Sequence, residues 1–236
     1  MSKTAHYYTK FEENQFYHIY NRTVDKHALF CNEGNYTFFL QRYDAYLSPV
    51  VDTYAYCLLG NHFHLLVRIR SMEELTAFLD SEAKAKNLLN TQKNLSTLYP
   101  EDLTTFQKLS NLSKTPHEIV SHQFQKFFQS YAMAFNKQQS RVGTLFQTPF
   151  KRVLVNSDTY FRQLVYYIHS NPTHHNEQLD FREWKWSSYQ RILMERESKL
   201  QKAALIDWFG NKEGFILFHA NKQQQLADKD IYMEDD

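Results

Sequence analysis

The chain has 236 residues, a length that fits one large domain or two small ones. Apolar residues make up 42% and charged residues 22%, with a net charge of +1, as in ordinary globular proteins. The five glycines are too widely spaced for a Rossmann-type or Walker-type nucleotide site, and two cysteines exclude a disulfide framework and a Cys-rich zinc module.

The sequence also lacks the marks of a membrane or exported protein. No apolar core of a signal peptide follows Met1, and the longest uncharged apolar stretch, Thr53–Val67, is too short to span a bilayer. We therefore expect a cytoplasmic protein with no membrane segment and no nucleotide cofactor.

Charge is unevenly distributed. The last nine residues are mostly acidic, whereas Asp158 is the one acid among several lysines and arginines between Ile119 and Asn176. Cations interleaved with aromatic rings suit a groove for single-stranded nucleic acid, although a solvated helix face above core aromatics gives the same pattern.

The first half of the chain predicts three strands and a helix. Phe16–Arg22 alternates aromatic and β-branched residues and is predicted as a strand. Glu33–Leu47 carries an apolar stripe with the spacing of a helix. Thr53–Leu59 and His62–Ile69 are predicted as strands of a hairpin, joined by a turn at Gly60.

The middle of the chain predicts two helices and one more strand. Met72–Asn90 and Glu118–Lys137 are helical in pattern, and the second has a strongly aromatic face. The polar segment between them, Thr91–Pro116, predicts a loop with a short helix. Thr144–Val155 predicts an extended segment, with Pro149 at an edge or a bulge.

A further helix begins after Ser157, a residue suited to the N-cap position, and runs to about Ser170. We expect Asn171-Pro172 to end it, because proline disfavours helical backbone in the preceding residue. The segment from Trp184 onward is mixed. With Met72–Asn90 and the helix after Ser157 left out of the count, the order is β-α-β-β-α-β. This order predicts a ferredoxin-like antiparallel sheet with helices on one face, an α+β fold.

The hairpin carries a candidate metal site. His62 and His64 are two apart on a strand, so both imidazoles lie on one face and can chelate one divalent cation. Two half-buried histidines that bond to their neighbours give the same spacing. A catalytic site would also need a third ligand and an open position.

The last predicted helix carries a candidate nucleophile. Phe161, Leu164, Val165 and Ile168 form the face expected to pack on the sheet. Tyr167 and Asn171 lie one above the other on the neighbouring face, while Tyr166 points away from both. A tyrosine beside a metal can act as a nucleophile, because a cation favours the phenolate. A tyrosine without any chemical role is the alternative reading.

Several motifs together resemble one family, the HUH-type single-tyrosine transposases of insertion sequences, and within it the REP-associated branch. Thr53–Arg68 resembles the HUH signature, and Tyr166–Pro172 resembles the family's Tyr-Ile-x-x-Asn-Pro motif. Tyr17–Arg22 is similar to the family's first strand. Phe135-Asn136, followed by Arg141–Phe146, is similar to its Asn-x(n)-Gly-x-Leu-aromatic segment. Trp186–Tyr189 matches the Trp-Ser-Ser-Tyr of the REP-associated branch.

The resemblance implies a single catalytic domain over residues 1–236, with an insertion at about 72–116 and an extension from about 196. It implies that His62, His64 and Asn171 ligate Mg²⁺ or Mn²⁺, and that Tyr167 attacks single-stranded DNA at hairpin or inverted repeats, leaving a 5′-phosphotyrosine. A monomer or a homodimer is compatible with the family. Candidate DNA contacts are Arg22, Arg68, Lys151, Arg152 and Arg162.

The chain departs from the family at Thr148–Phe150, where a Gly-Arg-Phe-like triplet is common, and Lys151 and Arg152 follow. Two other functions stay open at this point. One is a DNA-binding module of the same fold without turnover. The other is a metallohydrolase for small substrates that uses the two histidines and has no role for Tyr167.

Overall fold

The computed structural model describes residues 7–93 and 114–227, without the side chains of 87–93 and 225–227. Most of the predicted loop Thr91–Pro116 and the whole of the acidic tail therefore lie outside the described residues. The strands are β1 (Phe16–Arg22), β2 (Val51–Leu59), β3 (His62–Ile69) and β4 (Lys151–Val155). The α-helices are α1 (Glu33–Tyr46), α2 (Met72–Lys93), α3 (Pro116–Gln138), α4 (Asp158–His174), α5 (Tyr189–Leu193), α6 (Lys202–Asp207) and α7 (Lys212–Ala227).

The four strands form one sheet in the order β2-β3-β1-β4, and every neighbouring pair is antiparallel. This is the strand order of a ferredoxin-like sheet, so the predicted α+β fold class is confirmed. Short 3₁₀ turns at Val24–Lys26 and Phe181–Glu183 complete the described elements.

Two helices cover one face of the sheet, as the sequence predicts. Phe39 of α1 and Phe127 of α3 meet edge to face at 4.9 Å between ring centroids, and Phe39 also contacts Phe63 of β3. A capping box of Thr115 and Glu118 starts α3. Many of the 19 phenylalanines and 16 tyrosines of the sequence lie in this core.

The opposite face is covered by α4, whose side chains Phe161, Leu164, Val165 and Ile168 pack on the sheet, as predicted. Ser157 caps the helix, because its side chain accepts a hydrogen bond from the backbone N–H of Tyr160. The face that a ferredoxin-like sheet would leave open is thus closed by the additional helix.

Two predicted boundaries are wrong. The helix α4 does not end at Asn171-Pro172 but continues to His174, because Ser170, Asn171 and Pro172 are all buried and their packing outweighs the local cost of proline. The strand β4 begins at Lys151 rather than Thr144. Pro149 lies between that strand and an isolated bridge at Phe146, and it has no backbone N–H for a ladder.

The C-terminal segment protects the outer edge of β2. Leu58 N–H donates to the carbonyl of Trp186 at 3.0 Å, and Ser188 N–H donates to the carbonyl of Tyr56 at 2.9 Å. Edge strands present unpaired backbone groups, so this pairing both closes the sheet and fixes the Trp-Ser-Ser-Tyr segment against it. Among the described helices, none is long and apolar enough to cross a membrane.

Candidate metal and tyrosine site

The sheet places three histidines on the face covered by α4. His62 lies opposite Arg22 of β1 in the register, and His64 lies opposite Tyr20. His18, two residues before Tyr20, is a diagonal neighbour of His64, and its Nε2 lies 3.0 Å from His64 Nδ1. Strand alternation therefore gathers these imidazoles on one side.

Each predicted ligand has one polar atom bonded within the protein and one without a partner. His62 Nδ1 lies 2.6 Å from Asn61 Oδ1, and Asn171 Nδ2 donates to the carbonyl of Tyr167 at 2.7 Å. The remaining atoms, His62 Nε2, His64 Nε2 and Asn171 Oδ1, are buried and have no hydrogen-bond partner. Leaving buried polar atoms unsatisfied is costly, so three together need a reason.

The helix α4 brings Tyr167 and Asn171 to the histidines of the same chain. The Tyr167 ring packs edge to face on His64, with centroids 5.4 Å apart. Two turns later, His175 contacts His62 at 4.6 Å. Because residues four apart share one side of a helix, Asn171 lies between these two contacts and above the histidine pair.

The donor set fits a divalent cation. Burial lowers the pKa of His62 to about 3 and that of His64 well below its ordinary value, so both imidazoles are neutral, the form that binds metals. In the described part of the chain, no group of three His, Cys, Asp or Glu side chains is arranged to hold a metal. A cation held by this pair would need a further ligand of another type, and the Asn171 amide oxygen is the candidate.

A cavity of about 120 Å³ opens beside the histidine pair, with Arg22, Lys26 and Lys151 in its walls and no carboxylate. The buried Arg22 Nε has no hydrogen-bond partner. Lys151 lies 5.2 Å from the ring centroid of Tyr20, which also lines the cavity. Cations next to an aromatic ring make this opening suitable for a phosphate and an attached base.

Three predicted DNA contacts lie away from this cavity. Arg68 pairs with Asp52 at 2.6 Å, at the other end of β3 from His62. Arg152 donates to the carbonyl of Thr9 and lies over rings of the opposite face of the sheet. Arg162 is partly exposed near the start of α4. Of the five predicted residues, Arg22 and Lys151 line the cavity.

Sequence reasoning missed His18, although the alternation of β1 offered a signal. His18, Tyr20 and Arg22 are two apart, so they share a face, and the register with His64 was the missing information. Tyr166 was expected to point away from the sheet, and it does so. It is nevertheless buried, against Phe181 and His219 of the C-terminal segment.

Comparison with known proteins finds no matching family model and no significant match among curated proteins. Among solved structures, the chain is similar to a REP-associated tyrosine transposase bound to a REP hairpin. The chain shares that transposase's fold. The match has a TM-score of 0.50 and 11% sequence identity, and it covers 82% of this chain and 86% of the transposase. The fold that the motif resemblance implies is thus confirmed.

Proposed function

We propose that this protein is a metal-dependent, transposase-like strand transferase that cleaves single-stranded DNA beside hairpin repeats through a 5′-phosphotyrosine on Tyr167. The observation that carries the proposal is the contact of Tyr167 with His64 beside three unpartnered ligand atoms. The fold supports it, because the similar solved transposase was bound to a REP hairpin.

His62, His64 and Asn171 are proposed to hold the cation through the atoms that have no partner within the protein. Mg²⁺ or Mn²⁺ bound there would withdraw charge from the scissile phosphate and favour the Tyr167 phenolate. Imidazole ligands suit softer ions than Mg²⁺, so we expect Mn²⁺ to support the reaction at least as well.

Tyr167 then acts as the nucleophile. Its hydroxyl loses a proton, the phenolic oxygen bonds to phosphorus, and the P–O3′ bond breaks, so that the 3′ oxygen leaves and takes up a proton. Arg22 and Lys151 position the phosphate backbone in the cavity. A second strand's 3′-OH reverses the step, and the phosphotyrosine conserves the bond energy without a nucleotide cofactor.

The test is a labelled single-stranded oligonucleotide with a hairpin, incubated with Mn²⁺ and run on a denaturing gel. Wild type should form a covalent adduct that Tyr167→Phe lacks, while both bind the DNA with equal affinity. Tyr166→Phe is the matched control, because Tyr166 is buried on the other side of α4, and it should keep the adduct.

The same gel, together with an assay of small-substrate hydrolysis, distinguishes the alternatives. If the protein is a DNA-binding module without turnover, the wild type binds the DNA but forms no adduct. A metallohydrolase that uses the two histidines without Tyr167 hydrolyses small substrates equally well as wild type and as Tyr167→Phe. Absence of a Tyr167-dependent adduct on a panel of repeat-flanked hairpins would refute the proposed function.

A further inference from the structure

A second group of buried polar residues lies on the flank of α4 opposite to Tyr167 and Asn171, next to the edge strand β2. His169 of α4 contacts His219 of α7 through a 3.0 Å distance between Nδ1 and Nε2. His169 Nε2 lies 2.8 Å from the hydroxyl of Ser188. All three residues are at most 1% exposed.

The ends of this group fix the direction of every hydrogen bond. His219 Nδ1 lies 2.8 Å from the carbonyl of Phe215, which can only accept, so His219 carries its proton on Nδ1. With neutral rings, His219 Nε2 accepts from His169 Nδ1–H, and His169 Nε2 accepts from the Ser188 hydroxyl. Ser188 Oγ in turn accepts from the backbone N–H of Tyr56 at 2.9 Å.

Every ring nitrogen and hydroxyl in this hydrogen-bond chain therefore has a partner while both imidazoles are neutral. Burial lowers the pKa of His219 to about 4, which agrees with a neutral ring at neutral pH. These hydrogen bonds connect three elements that are distant in sequence, namely the edge strand β2, α4 and α7. At about 100° per residue, His169 projects from the side of α4 opposite to both Tyr167 and Asn171.

We propose that this hydrogen-bond chain is a positioning device that fixes the rotation of α4, so that Tyr167 and Asn171 face the histidine pair. The inference rests on the proposed function and assigns a role to Ser188 of the Trp-Ser-Ser-Tyr segment. A preorganised site tolerates a misorientation of about 10–20°. A rotation of α4 by more than this would move the Tyr167 and Asn171 side chains out of the geometry that the site needs.

The test compares Ser188→Ala with Ser187→Ala. Ser187 is the neighbouring buried serine, and its hydroxyl accepts from Tyr189 N–H without touching His169. Ser188→Ala should weaken Mn²⁺ binding, measured by calorimetry without DNA, about tenfold, as for residues that orient metal ligands. Ser187→Ala should bind Mn²⁺ like wild type, and Ser188→Thr should recover most of the affinity.

Nitrogen NMR of histidine-labelled protein tests the chain itself. Wild type should show His169 and His219 as Nδ1–H tautomers, and Ser188→Ala should shift the His169 nitrogens while Ser187→Ala does not. An Nε2–H tautomer of His169, or a folded Ser188→Ala with unchanged Mn²⁺ affinity, would overturn the inference. A wild type with the expected tautomers and Mn²⁺ affinity but no DNA adduct would instead overturn the proposed function alone.

Discussion

The two groups of buried histidines on opposite sides of α4 differ in one respect. On the flank of the helix next to β2, His169 and His219, which with Ser188 form the rear group, have a partner for every ring nitrogen. On the sheet side, His62 and His64 each leave Nε2 without one, although both are buried. Buried histidines therefore have all their hydrogen-bond partners on one side of α4, whereas on the other side His62 and His64 each lack one partner.

This contrast distinguishes histidines with a structural role from the proposed metal ligands. A paired, neutral imidazole contributes to stability and has no lone pair to offer a metal. An unpaired buried nitrogen costs free energy unless a ligand completes it, and the nearby Asn171 Oδ1 has the same defect. We therefore expect a metal ion to bind directly to the sheet-side group (His62, His64 and Asn171), whereas the rear group (His169, His219 and Ser188) stabilises the fold and affects metal binding only through the position of α4.

The largest expected effect comes from removing a ligand. His64→Ala should weaken Mn²⁺ binding at least about 100-fold, more than the loss of an orienting residue, and should abolish the DNA adduct. Calorimetric titration with Mn²⁺ measures this. The control is His122→Ala, an exposed histidine on α3, which should bind like wild type. Equal affinity in the two variants would remove the metal from the account.

Replacing a histidine of the rear group should lower the stability of the fold, in addition to the modest loss of Mn²⁺ affinity expected when α4 is no longer held in position. His219→Ala leaves His169 Nδ1 without an acceptor and opens a cavity, so we expect a loss of about 2–4 kcal/mol in the free energy of unfolding. Urea denaturation measures the loss. Leu217→Ala, an exposed position on the same helix, should change it by less than about 0.5 kcal/mol. A loss below about 1 kcal/mol would show that the rear chain is not structural.

His18 belongs to the sheet side, where it contacts the proposed ligand His64 without being a proposed ligand itself. His18→Leu removes the partner of His64 Nδ1 and should weaken Mn²⁺ binding about 10- to 100-fold, less than His64→Ala. Phe16→Leu is the control on the same face of β1, where Phe16 packs on Phe161. Unchanged affinity in His18→Leu would mean that His64 is oriented by other contacts.

Local sequence patterns predicted most of the fold. The bounds of β1 and β3 follow directly from alternation, and those of α1 and α3 from the helical apolar stripe. The end of α4 was predicted wrongly, because the prediction considered only the unfavourable effect of Pro172 on the residue before it. The burial of this part of the helix, which depends on the C-terminal segment, outweighs that effect. The cover that this segment gives to β2 has no local signal, since it joins residues more than a hundred positions apart.

The candidate site could be predicted only in part. Motif spacing singled out His62, His64, Tyr167 and Asn171, and the structure brings Tyr167 onto His64 within one chain. The roles of His18 and His169 depend on register and on packing between distant elements, so no pattern within one element reveals them. Positive charge alone also did not separate Arg22 and Lys151, which line the cavity, from Arg68, which pairs with Asp52.

The most direct test of the central claim is a crystal soaked in Mn²⁺, with diffraction data collected near the manganese absorption edge. The account predicts one strong anomalous peak within about 2.5 Å of His62 Nε2, His64 Nε2 and Asn171 Oδ1, with the Tyr167 hydroxyl facing it. A crystal with no peak at these atoms, or with manganese bound elsewhere while they stay unliganded, would contradict it.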